Sequence, residues 1–374
     1  MQWLNTIKLA TDASWQNPYP FLKKEFLSAL EENHCINGDS GWQCHYLQLP
    51  SQNILLPAFI KSHSYGEYVF DWGWAEAFQK HGLQYYPKLI IAAPFTPVTG
   101  HRLIADPSST LDGQKISHAL QQHCHEQGLS GVHYLFCNEQ ERELLQEHNW
   151  HLRKSVQFHW HNYQYQSFED FLSTFKSRKR KAILKERLKI QQSNIKITTL
   201  SATEITEDDW QFFYHCYQST YNKRGMQGYI SLEAFKAMAA TMEQDIILIK
   251  ASHNEQPLAC ALYFKDQENL YGRYWGCVQE IDGLHFEVCY YQGVEYCIKH
   301  GLKHFNPGTQ GEHKISRGFE PTYCYSLHYL THEGFHEAVG DFVKEEAKEL
   351  ALYQQRCYEQ LPFNQDNMPA LRSD

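Results

Sequence analysis

The sequence predicts an α/β protein with mixed α+β sheets, arranged as two tandem domains. Length is the first reason, because 374 residues exceed what one hydrophobic core usually organises. The second is that strand-like and helix-like segments alternate through the first half, and the pattern restarts near Gln164. Composition is the third: 42% hydrophobic residues, with 24 Tyr and 21 Phe, describe a well-packed globular chain that needs no staples.

In the first domain, residues 1–163, the apolar runs at 54–61 and 89–93 read as buried strands. Residues 114–127 carry helical periodicity, 131–137 form a strand, 139–148 a second helix, and 155–161 a strand with Val156, Phe158 and Trp160 on one face. Ser167, three residues before Asp170, signals a helix start ahead of FLSTF and puts the domain boundary near 163. The second domain, residues 164–374, continues with a strand at 195–200, helices at 208–219 and 232–242, and three strands at 246–251, 258–265 and 270–275. A long helix at 284–300, stopped by Gly301, leads to a short strand at 304–306, a late strand at 323–330 and a last helix at 342–358.

A strand, two helices, three meander strands, a helix and a strand is the order of the GNAT acyltransferase fold, whose cleft opens where the fourth and fifth strands splay. The polar, glycine-rich segment 270–319 falls on that cleft. The stretches NPYPFLKKEFLSALE, HSYGEYVFDWGWAEAF, YYPKL, APFTPVTGHRL, QFHWHN, SRKRKAILKER, LYGRYWG, LHFEVCYYQ and GEHKISRGFEPT span residues 17–328. In them the chain resembles the FemAB-like family of peptidoglycan biosynthesis or recognition proteins, built from two tandem GNAT-like domains. The resemblance implies an N-acyltransferase, since related enzymes move amino acids from aminoacyl-tRNA to the amine of a cell-wall peptide precursor. It also implies that Lys314, a few residues before Gly318, contacts the substrate.

Composition excludes some functions. A formal charge of −9 argues against coating nucleic acid or anionic lipid over the whole surface and leaves room only for a local basic patch. The eleven cysteines, odd in number and without a CxxC pair, read as reduced thiols of a cytoplasmic protein. His34, Cys35, Cys44 and His45, and His123, Cys124 and His125, sit in adjacent runs whose side chains diverge, so no metal site is expected. The start of the chain lacks a cationic stretch followed by an apolar core, and no later segment has the roughly twenty apolar residues of a membrane span.

Acyl transfer to an amine needs a neutral nucleophile, a group that takes its proton, and positive charge or donors where the tetrahedral oxyanion develops. The GEHK run supplies these types. Lys314 suits a carbonyl or phosphate oxygen, and Glu312 and His313 compete as proton acceptor. On an extended segment Glu312 shares the face of Lys314, and His313 points the other way. Arg317 closes the same run. His285 and Glu287 enter the first turn of the helix at 284–300, where Glu287 also complements the helix dipole, and Tyr291 shares the face of Glu287. On the strand before it, Arg273 rather than Tyr274 is expected to face the cleft.

The turn CVQEIDGL before that helix has one glycine, with Glu280 and Asp282, where a pyrophosphate-binding turn would be glycine-rich, so CoA fits poorly there. Residues 176–189 hold eight Lys or Arg against Glu186, and Arg178, Lys181 and Lys185 are expected to meet phosphates of tRNA, a nucleotide-linked precursor or anionic lipid. In the first domain Asp71, Trp72, Tyr86, Lys88, Thr96 and Arg102 suggest a sugar- or peptide-binding pocket.

The reading that joins these is an N-acyltransferase acting on an amine of a peptide or amino-sugar acceptor, without a tightly bound cofactor. Aminoacyl-tRNA and acyl-CoA both stand as co-substrates. A non-catalytic protein that recognises a peptidoglycan precursor, and an acyl-CoA enzyme acting on a small amine, are its rivals.

Overall fold

The protein is described by a computed structural model that covers residues 1–10, 19–49, 54–105, 109–309, 311–364 and 366. It divides into two compact units, one formed by Met1–Val156 and Tyr323–Leu352 and the other by Gln157–Thr322 and Tyr353–Asp374. The chain passes from the first unit to the second after Val156 and comes back to the first at Tyr323. Residues 325–330 of the late strand pair antiparallel with the 131–137 strand, from Tyr325↔Cys137 to Leu330↔Gly131, which ties that segment to the first unit.

The first unit contains β1 (Gln2–Leu4), α1 (Lys24–Glu32), β2 (Trp42–Cys44), β3 (Tyr46–Leu49), β4 (Ile54–Leu56), β5 (Ala58–Lys61), α2 (Trp72–Lys80), β6 (Lys88–Ile91), β7 (Ile104–Ala105), α3 (Gly113–Glu126), β8 (Gly131–Cys137) and α4 (Glu139–Gln146). The single strand expected at 54–61 is two strands in different sheets. Pro57 stands between them and has no N–H for a ladder, so β4 joins β3 and β7 while β5 joins β2 and β6. β6 and β8 run parallel, and helix α3 starts where the Asp112 side chain accepts the Lys115 N–H. The core lies between sheet and helices, with Leu56, Ile91, Ile116, Leu120, Val132 and Leu145 fully buried.

The chain leaves along β9 (His151–His161). The second unit follows with α5 (Phe168–Ser173), α6 (Ser177–Gln192), β10 (Ile195–Ser201), α7 (Glu207–Asn222), α8 (Leu232–Thr241), β11 (Ile246–His253), β12 (Gln256–Lys265) and β13 (Asn269–Cys277). Ser167 caps α5 by accepting the Asp170 N–H at 3.1 Å, as its spacing predicts. Strands β10 to β13 form an antiparallel meander, and β13 pairs parallel with β14 (His304–Asn306). Between them lies helix α9, made of Leu284–Phe286, a π turn at Glu287–Tyr291 and Gln292–His300. Two glycines allow close packing around β13 and β14. A Cβ on Gly276 would meet the Cys216 carbonyl of α7 at 2.3 Å, and one on Gly293 the Phe305 ring at 2.4 Å. The chain ends with β15 (Glu320–Leu330) and α10 (Glu333–Glu359).

Several imidazoles of the first unit are held neutral. His45 and His123 are hydrogen-bonded through Nε2 atoms 2.7 Å apart, stacked against Trp3. Burial, and then the neighbouring His123, push His45 down to about 4, and burial followed by Lys88 pushes His133 down to about 3. The unfolded chain takes up these protons near the ordinary histidine value, so the stabilisation is complete above about pH 6.5 and is lost as pH falls towards 4. The thermal midpoint should therefore drop between pH 7 and pH 5, and His45→Asn should make that drop smaller. An identical drop in the variant would remove His45 from the acid response.

Candidate active site

Strands β13 and β14 are in register from Asn269↔His304 to Tyr271↔Asn306; β14 then ends while β13 runs on to Cys277. Pairing between the two strands stops after Tyr271, at the place where the splay was expected. At the parting Arg273 is the extra residue of a β-bulge, because Gly272 faces Tyr263 and Tyr274 faces Leu262. The Arg273 guanidinium lies over the Tyr274 ring, 5.2 Å from its centre. The loop after β14 is pinned by the buried Asn306, whose side-chain oxygen accepts the Gly308 N–H at 2.9 Å while its amide donates to Gln157 at 3.2 Å. The Gly308 carbonyl in turn accepts a hydrogen bond from Lys314 Nζ at 2.5 Å.

Residues Glu312–Arg317 are not extended but form a 3-10 helix between Gly311 and Gly318, both at positive φ. Three residues per turn put Lys314 and Arg317 on one side, and both are buried. Glu312 and His313 face solvent, so the expected pairing of Glu312 with Lys314 on one face does not form. Glu312 accepts a hydrogen bond from the Tyr353 hydroxyl at 2.8 Å. His313 Nε2 is 2.9 Å from the Tyr290 hydroxyl, with the His285 ring 6.1 Å from its own.

Helix α9 explains the rest. Its π turn, in which the Gln292 N–H reaches the Glu287 carbonyl, buries five consecutive residues and directs Tyr290 and Tyr291 inward. Glu287, expected among the catalytic groups, is instead locked in an ion pair. The Arg187 guanidinium meets it at 2.9 and 3.1 Å and meets Glu295 at 2.7 and 3.0 Å, and Gln292 donates to both carboxylates. One residue earlier on α6, Glu186 accepts from the Tyr291 hydroxyl and from Arg317 at 2.9 Å. Arg317 also donates to Tyr291 and to the His313 carbonyl, and stacks 3.5 Å over Phe286. Arg317 and Tyr291 thus hold the site together, and their polar groups are already engaged.

The electrostatics single out Lys314. It is 1% exposed, and burial pushes its ammonium down to about 7, with the Cys289 thiol opposing. Burial, His313, Lys314 and Arg317 push His285 down to about 4, and the same field lowers His313. The site is short of negative charge and holds its imidazoles neutral. It can receive an oxyanion or a carbonyl oxygen and accept a proton.

The other expected residues divide. Arg178, Lys181 and Lys185 are exposed on α6, while Lys189 pairs with Asp282 at 2.6 Å and Lys223 with Glu280 at 2.8 Å. In the first unit Lys88 is wholly buried and donates to Ser64, Glu67 and Asp71. Burial opposes ionisation of Asp71, yet Lys88 brings it to about 2, whereas burial lifts Glu67 to about 7. Tyr86 joins this group through Ser64 at 2.8 Å, and Trp72 is exposed beside Tyr65. Arg102 does not belong to it. At 1% exposure its guanidinium donates to the carbonyls of Leu135, His101 and Val98, so it fastens a loop and is not open to substrate. Thr96 is likewise buried, bonded to the Pro94 carbonyl.

Sequence reading missed Gln157, Asn306 and Tyr353, whose partners are distant in the chain. Glu186 was visible as the one acid inside eight cations, but its partners Tyr291 and Arg317 were not. Removing one partner of a desolvated ion pair strands the other. Glu287→Ala should therefore lower stability by about 3 kcal/mol in urea unfolding, and a loss within error of zero would contradict the structural role.

The chain is similar in fold to several solved structures. Among solved structures, the C-terminal domain of a putative lysylphosphatidylglycerol synthetase from Agrobacterium fabrum matches with a TM-score of 0.54 at 9% identity, over 89% of this chain and 94% of that one. FemX matches with a TM-score of 0.51 at 8% identity, over 91% of this chain and 100% of that one. L-PGS from Bacillus licheniformis matches with 0.51 at 9% identity, over 89% and 99%. At these identities the likeness is one of fold. No curated protein matches the sequence. The FemAB-like family model, described as peptidoglycan biosynthesis/recognition, matches residues 3–365, and the chain belongs to that family.

Proposed function

We propose that the second unit catalyses N-acyl transfer to the amine of a peptide or amino-sugar acceptor, in the cleft where β13 and β14 part. The observation that carries this reading is Lys314, a buried cation bonded to a backbone carbonyl at the mouth of the splay, beside the His313–Tyr290 pair. The acceptor amine attacks the acyl carbon, a C–N bond forms, and the carbonyl oxygen becomes an oxyanion that Lys314 stabilises. His313, whose imidazole is held below the ordinary histidine value by partial burial of its ring and by Lys314 and Arg317, takes the proton released by nitrogen. The bond to the leaving oxygen or sulfur then breaks, and the leaving group takes a proton. Tyr290 orients the His313 ring, and Glu312 stands outside with Tyr353.

For the donor, we favour an aminoacyl ester carried on tRNA over acyl-CoA. The turn at 278–283 has Gly283 as its one glycine, and its two acids, Glu280 and Asp282, are paired with Lys223 and Lys189, so it lacks the run of glycine N–H groups that cradles a pyrophosphate. The FemAB-like membership supports an acceptor from peptidoglycan synthesis, such as a nucleotide-linked precursor. The exposed Trp72 and half-buried Tyr86, above the Lys88–Asp71 network of the first unit, are a candidate surface for a sugar or peptide.

Lys314→Met keeps the aliphatic stem and removes the cation. Turnover of an amine acceptor should fall on the order of a hundredfold or more with the fold intact, and unchanged turnover in the folded variant would overturn the assignment. His313→Ala should depress the rate steeply, whereas Glu312→Gln should leave most of it. The reverse pattern would make Glu312 the proton acceptor.

A further inference from the structure

We propose that the exposed face of α6 docks the protein on an anionic lipid surface. This goes beyond the catalytic reading and does not depend on it. Helix α6 buries Ile183 and Ile190 and directs Glu186 and Arg187 into the ion pairs described above. At 3.6 residues per turn, Arg178, Lys181, Leu184, Lys185 and Leu188 fall within a sector of about 120° opposite those isoleucines. Leu184 is 48% and Leu188 49% exposed, and the three cations are exposed as well.

Two features of that sector identify the occupant. The first is charge: the chain carries −9 overall, yet this face presents three cations, so it complements an anionic partner against the field of the rest of the molecule. The second is the pair of leucines one turn apart between the cations. Phosphates of a nucleic acid ask only for cations and hydrogen-bond donors, and no aromatic ring accompanies these leucines for base stacking. A lipid interface takes both parts, with the lysine and arginine heads among the headgroup phosphates and the leucines at the boundary of the acyl chains. No helix of the described residues is long and apolar enough to cross a membrane, so the contact is peripheral.

The test uses the full chain and sedimentation with vesicles of phosphatidylcholine alone or mixed with phosphatidylglycerol, alongside a binding titration with bulk tRNA. Binding should require phosphatidylglycerol and weaken as salt rises. Replacing Arg178, Lys181 and Lys185 by Gln should weaken it on the order of a hundredfold, at about fivefold per charge near the surface. Leu184→Gln with Leu188→Gln, at exposed positions that leave the fold unchanged, should weaken vesicle binding about tenfold or more with all cations in place. Failure to bind the mixed vesicles, or vesicle binding indifferent to the leucine pair, would overturn the proposal. So would tRNA binding that depends on the three cations in a protein that ignores vesicles.

Discussion

Two adjacent residues of opposite charge, Glu186 and Arg187, tie helix α6 to helix α9 and to the 3-10 helix that carries Lys314. Arg187 is bracketed by Glu287 and Glu295 of α9, and Glu186 receives Arg317 of the 3-10 helix and Tyr291 of the π turn. Burial penalises the Arg187 charge, but the two carboxylates more than offset this and hold its proton more firmly than usual. Partly desolvated pairs of this kind add little net stability over apolar residues, yet losing one partner is costly. Their effect is to fix geometry. The π turn, the 3-10 helix and α6 hold one mutual arrangement, and Lys314 is placed by it.

With its surroundings settled in this way, Lys314 is left with little to satisfy it. Its amine reaches a loop carbonyl, while the charges nearest in the sequence, Glu312 and Arg317, turn to Tyr353 and Glu186. The site keeps Lys314 in a dry place with its ammonium pushed down to about 7, so that an anionic oxygen bound beside it would favour the charged form, as the proposed transfer requires. The imidazoles around it are held neutral by the same burial and the same positive field.

Much of the fold was legible because its strands are apolar runs with clear ends. Residues 131–137 and 304–306 appear at the positions expected, and the cap at Ser167 forms as its spacing with Asp170 requires. The site was less legible where local pattern is ambiguous. A helix over 284–300 was visible, but a π turn shifts the hydrogen-bond register without altering which residues look apolar, so the burial of Glu287 was hidden. The run 312–317 has Ile315 as its one apolar residue, so periodicity does not tell an extended segment from a turn, and only the glycines on either side mark it as compact. Arg102 looks like a ligand group in sequence, because nothing local reveals that three backbone carbonyls await it. The return of the chain to the first unit is likewise a long-range pairing of the strand after Tyr323, beyond the reach of periodicity.

The central claim is that Lys314 is a desolvated cation poised for negative charge. The most direct measurement is the titration of its side-chain nitrogen by NMR, with Lys314→Met used for assignment, in the free protein and with a phosphonate analogue of the tetrahedral intermediate bound. The account predicts a midpoint near 7 in the free protein, displaced upward when the analogue's anionic oxygen is bound. A free-protein midpoint at the ordinary lysine value, unmoved by the analogue, would contradict it.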